Sequence, residues 1–227
     1  MGYGVTSTAF LLSLGIPPAP ASASVHAAEV FTTGISGAFH LKFKNVDKNI
    51  FKNLVIPGVI GGILGAYILT SLPGEKIKPL VACYLLIMGM IILRKSFKEI
   101  QKRDWSRGRL FPLGLAGGCL DAIGGGGWGP IVTSTLVGTG NNPRFTIGSV
   151  NLAEFFVSVA EAATFFTIIG FVHRQIILGL IIGGVVAAPL AAYLCKMLPV
   201  RALMTLVGIL IIVLSGRTLY KALIVFV

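Results

Sequence analysis

Ionisable side chains are scarce in the apolar parts of this chain, and those that occur there form a pattern. His26 and Glu29 are spaced i,i+3, a separation that puts both on one face of a helix. Asn151 and Glu154 repeat the spacing, and Glu161 lies two turns beyond Glu154 on the same side. Asp121 stands one turn before four consecutive glycines, Gly124 to Gly127. Imidazole beside carboxylate is acid–base chemistry, so His26 with Glu29 or Asp121 could serve a membrane-embedded enzyme. In a carrier, Glu29, Glu154 and Asp121 would instead exchange a coupling proton or gate the path, or pair internally as struts. Catalysis lacks a nucleophile set beside a base. The cysteines, Cys83, Cys119 and Cys195, are odd in number and show no ligand spacing, so no disulfide, metal cluster or cofactor is expected.

The elements that hold these residues must be membrane helices. Hydrophobic residues make up 55% of the 227 positions and charged ones 12%, more apolar surface than one soluble core can hide. Apolar stretches at 50–72, 77–93, 146–171, 175–197 and 202–226 have the length of about 20 residues that spans a bilayer, and 24–41 is a shorter sixth. The net charge of +11 is concentrated in two loops rather than in a nucleic-acid-binding face. Lys42, Lys44, Lys48 and Lys52 surround Asp47, and the segment from Arg94 to Arg109 is basic, which places loops 42–52 and 94–109 in the cytoplasm. Lipid is therefore one partner, nucleic acid is not, and the oligomeric state is left open.

The chain also resembles itself. At an offset of 125, residues 2–33 align with 127–158 without a gap and with eleven identities, among them Gly2, Gly4, Thr8, Pro18, Ser24, Val25, Ala28, Glu29 and Phe31. GAYILTSLP (65–73) matches AAYLCKMLP (191–199) after one inserted residue. The expected architecture is an all-α polytopic membrane protein of two homologous repeats, residues 1–97 and 109–227, joined by a basic linker at 98–108. Residues 110–123 of the second repeat precede the glycines; their counterpart would fall before Met1, so either a further apolar half-helix is encoded upstream, the expected case, or the first repeat lacks its first half-helix. A small-residue pattern at 21–24 suggests signal cleavage, but no Lys or Arg occurs in the first twelve residues, and duplicated segments are not discarded.

Within LDAIGGGGWGP, glycines oppose helix formation and Pro130 suits a first turn. A helix over about 110–123 should break, and a second should run over about 129–139, either as one broken span or as a re-entrant hairpin. Free backbone N–H groups at the break would bind an anion without a basic side chain. The expected binding residues are Gly125, Gly126, Gly127, Trp128, Ser149 and Asn151, with Ser24 and His26 as their counterparts. A fixed negative charge beside an anion is unfavourable at low dielectric, so Glu29 and Glu154 should be protonated when cargo is bound.

Two blocks, GGGGWGPIVTSTLVGTGNNPRFTIGSVNLAEFF and GIPPAPASASVHAAEVFTTGISGAFHLKFKNVD, resemble the sulfite exporter TauE/SafE family of membrane permeases. The resemblance covers nearly the whole chain and rests on the paired Gly-rich, Pro-turn and Ser-Val-x-x-Ala-Glu segments. It implies a duplicated carrier for small anions such as sulfite, sulfoacetate or thiosulfate, working by alternating access. A passive anion channel differs from that only in flux.

Overall fold

The computed structural model describes residues 2–97, 107–133, 135–136, 141, 143–171, 173–197 and 200–225, and every regular element among them is helical. In chain order these are α1 (Tyr3–Ser13), α2 (Pro18–Lys42), α3 (Lys48–Ser71), α4 (Gly74–Ser96), α5 (Arg107–Gly124), a π-helical turn Gly129–Thr133, α6 (Pro143–Ile169), α7 (Arg174–Met197) and α8 (Val200–Val225). Most of the linker at 98–108, and Cys195's side chain, lie outside the described residues.

Local chemistry sets several boundaries. Pro18 opens α2 without losing a needed N–H. The Asp47 carboxylate caps α3 by accepting from Asn49 N at 2.7 Å and Ile50 N at 3.1 Å. Gly170, at φ 75°, closes α6 by donating to the Phe166 carbonyl.

Lys48–Ser71, Pro79–Ser96 and Phe145–Ile169 are long and apolar enough to cross a membrane, and α7 and α8 contain apolar stretches at Arg174–Val186 and Gly208–Tyr220. The span expected over 24–41 falls inside α2, whose 25 residues suffice in length. α2 is less apolar because Ser22, Ser24, His26 and Glu29 lie on its buried face. Large apolar side chains such as Ile56, Leu80 and Val186 instead face outward, at 63%, 68% and 71% exposure. Such a surface suits lipid.

Helix directions follow from close contacts at glycines. A side chain at Gly58 would strike Val157, and one at Gly62 would strike Glu161, so α3 and α6 run the same way. Gly61 meets Leu115 and Gly65 meets Cys119, which makes α5 parallel to both. Gly34 lies on Phe155 and Gly37 on Leu152, so α2 runs against α6. α4 and α8 are also antiparallel: Gly89 abuts Ile211, and Ser96 Oγ lies 3.3 Å from Thr205 Oγ1.

α5 and α6 thus share one direction, and α5 ends at Gly124, at the expected break. Gly125 and Gly126 have φ of 64° and 131°, open to glycine and strained for other residues. Past them, Trp128, Val132 and Leu136 share a core cluster with Leu54, Ile50 and Leu110. A second cluster joins α1, α2 and α4 to Phe165 and Ile211.

Candidate functional site

His26 lies in the core of the molecule, wholly buried. Its Nδ1 is 3.0 Å from Glu29 Oε2, one turn along α2, and 3.0 Å from Glu161 Oε2 on α6. Its Nε2 is 3.3 Å from the carbonyl oxygen of Asp121 on α5. Phe165, one turn after Glu161, stacks parallel to the imidazole with centroids 6.2 Å apart. Three helices thus converge on one ring. His26 with Glu29, and Asp121 as a further partner, were legible in the sequence, whereas Glu161 arrives at the imidazole only through the fold.

Asp121 also organises the break. Its Oδ1 accepts from Trp128 N at 2.8 Å and from Gly127 N, and its backbone carbonyl accepts from Gly126 N at 3.0 Å. The amides expected to be open to an anion are therefore engaged by a carboxylate of the chain itself. The reason is electrostatic: the start of a helix attracts the nearest negative group, and the turn brings Asp121 back onto it. The space over Gly126 is filled as well, since a side chain there would strike the backbone of Gly4 and Val5. Thr8 Oγ1 donates to the Gly125 carbonyl, and Ser22 Oγ to that of Ala122 at 2.6 Å, so α1 and α2 both clasp the break.

These apolar helices around a buried polar centre match a known group. The family model for the sulfite exporter TauE/SafE matches residues 1–218. The chain belongs to this family. The probable membrane transporter protein YtnM of Bacillus subtilis (strain 168) is 44% identical over 228 residues, covering 96% of this chain and 76% of that protein. No solved structure matches. A TauE/SafE chain is a membrane transporter.

The remaining expected residues of this TauE/SafE member are dispersed. The Trp128 side chain is wholly buried and its indole N–H donates to the Val150 carbonyl at 3.0 Å. Ser149 Oγ donates to Phe145 O at 2.7 Å and accepts from Asp47 N at 2.7 Å, tying α6 to the loop before α3. Ser24 Oγ bonds back to Pro20 O at 2.7 Å within α2. Asn151 keeps a buried Oδ1 without a partner among the described residues, and Glu154 is partly exposed. Tyr84 was not anticipated. Its hydroxyl, buried and without a hydrogen-bond partner among the described residues, lies where a side chain at Gly127 would sit. A lone tyrosine in an apolar run carries no sequence signal that would have singled it out.

Proposed function

We propose that this chain is a permease that carries a small anion, sulfite or a related organosulfur compound, across the cytoplasmic membrane by alternating access between two inverted repeats. The observation that carries the reading is the break in the helix at Gly124–Trp128, where Gly125 and Gly126 take positive φ deep in the bundle and beside a buried ionisable cluster. Irregular backbone at such depth is tolerated where protein or a cavity surrounds it, and half-helices of this kind form the sites of secondary transporters.

The repeat relation supports this. Gly58 of α3 packs on Trp128 and Val157; Gly184 of α7 packs on Tyr3 and Thr32, the residues at the corresponding positions of the other half. With loop 42–52 in the cytoplasm, α3, α5 and α6 run outward, the segment after Gly124 re-enters, and α8, antiparallel to α4, ends outside. A C-terminal tag should then be reachable from outside intact cells; labelling only after permeabilisation would refute the inverted arrangement.

Cargo recognition belongs to the same reading. The anion would lie near the His26 cluster, whose carboxylates must be neutralised when it is there, by a coupling proton or another cation. Proteoliposomes containing the purified chain should take up sulfite, thiosulfate or sulfoacetate with saturation at low rates. Uptake of none of them, or flux that rises linearly without saturation, would overturn the carrier.

A further inference from the structure

The polar atoms around His26 do not balance by themselves. The Asp121 carbonyl, at 3.3 Å, can only accept, so the Nε2 facing it carries a hydrogen. Nδ1 faces two carboxylate oxygens, Glu29 Oε2 and Glu161 Oε2, each at 3.0 Å. One hydrogen on Nδ1 could serve one of them, and only the Glu29 contact has hydrogen-bond geometry. Both oxygens of Glu161 and the Oδ2 of Asp121 are buried with no hydrogen-bond partner among the described residues. Both side chains are at 0% exposure, and an unpaired carboxylate oxygen removed from water costs far more than a neutral acceptor.

One ligand atom from each of His26, Asp121 and Glu161 can be chosen so that all three lie within 4.8 Å of one another. We propose that these three residues, with Glu29, form a binding site for one divalent transition-metal cation of the zinc or manganese type. The donor set of one imidazole nitrogen and carboxylate oxygens suits those ions better than sodium or calcium, which favour all-oxygen sites. Zinc bonds of about 2.0–2.2 Å put tetrahedral ligands roughly 3.4 Å apart, so modest side-chain rotation must draw the group inward by about 1 Å. The orienting contacts are present. The Asp121 carbonyl holds Nε2–H, as an outer partner of a metal-bound histidine does, and this turns Nδ1 toward the carboxylates, where a cation would take the place of the hydrogen now shared with Glu29. Asp121 Oδ1 is held by the amides of Gly127 and Trp128, which leaves Oδ2 for the cation. A cation here ties α2, α5 and α6 together and offsets the carboxylate charge that an anionic cargo would otherwise meet.

The test is direct binding to the purified full-length chain in nanodiscs, stripped with chelator and with no transport substrate present. Calorimetric titration with zinc chloride and with manganese chloride, with metal content by mass spectrometry, should give one ion per chain for at least one of the two. Magnesium chloride at the same concentration should not compete. Glu161→Gln and His26→Gln should each weaken binding at least about tenfold, as removal of a metal contact does, while His173→Gln, at an exposed loop position, should not. Absence of stoichiometric binding of either ion, or unchanged affinity in both site variants, overturns the proposal. Should those variants fail to purify, X-ray absorption of the metal-loaded wild type decides: one imidazole among oxygen donors is expected, and a shell without imidazole overturns the site. Because no anion is present, this outcome and that of the uptake assay are independent.

Discussion

α2 and α6 carry the same sequence spacing and do different things with it. On α2, His26 and Glu29 are buried and hydrogen-bonded to each other at 3.0 Å. On α6, Asn151 keeps an oxygen without a partner among the described residues and Glu154 is partly exposed; the carboxylate this helix sends to the centre is Glu161, and at the offset of 125 the position of α2 opposite it is Ser36. Packing is treated otherwise. Gly58 with Trp128 and Val157, and Gly184 with Tyr3 and Thr32, are nearly interchangeable sets of contacts. The two helices thus sit in similar packing but differ in chemistry, and the charged centre takes His26 and Glu29 from α2 but only Glu161 from α6. The difference separates what the fold requires from what the site requires.

Substitutions can test that separation. The largest effect is expected at the crossing of the break with α1. Gly126→Val should destabilise the protein by about 3 kcal/mol or more, through its φ of 131° and its clash with the Gly4 backbone. Detergent extraction should yield aggregate, and a well-behaved, thermally stable variant would mean that the crossing is dispensable. Next, Asp121→Ala removes a charged acceptor from two amides and should cost about 2–4 kcal/mol, with Asp121→Asn recovering part of it. Equal melting temperatures for wild type and Asp121→Ala would show that the break needs no cap.

The comparison itself is addressed by exchanging its members. His26→Asn gives α2 the side chain of α6 and should reduce transport at least about tenfold, roughly 1.4 kcal/mol. Asn151→His should change it much less, and equal losses would make the two sides chemically equivalent. On the packing side, Gly58→Ala should cost about 2 kcal/mol and Gly184→Ala about 1 or less, because the added carbon meets Trp128 at 2.5 Å in one case and Thr32 at 2.9 Å in the other. Identical melting shifts would erase that ranking. The smallest effect is expected from Glu154→Gln, which keeps shape and removes titration. Binding should persist while the pH dependence of uptake flattens, and an unaltered pH profile would leave Glu154 a strut.

Periodicity and glycine chemistry made much of this architecture legible in the sequence. The apolar runs became helices, and GGGG with Pro130 marked where α5 ends and the next turn begins. The meeting of His26 with Glu161 was hidden because it depends on how α6 packs against α2 and not on spacing along α6. Spacing put Glu161 on the same side as Glu154; in the fold one is wholly buried and the other is not. The capping of Gly127 and Trp128 was hidden for a similar reason. Asp121 lies six and seven residues earlier, outside the usual reach of a helix cap, and comes close only because the chain curls through two glycines with positive φ.

The glycine face of α3 has a consequence for how the chain is assembled. Gly61 and Gly65 lie against the backbone of Leu115 and Cys119, and Gly118 lies against that of Gly58. During synthesis α3 is made well before α5 exists, and the smooth face has no companion until the ribosome has passed the basic linker. The first half therefore completes its packing on a helix encoded by the second. Separately expressed halves cut at that linker would be two unfinished surfaces rather than two small domains, and the order of translation becomes part of how the bundle closes.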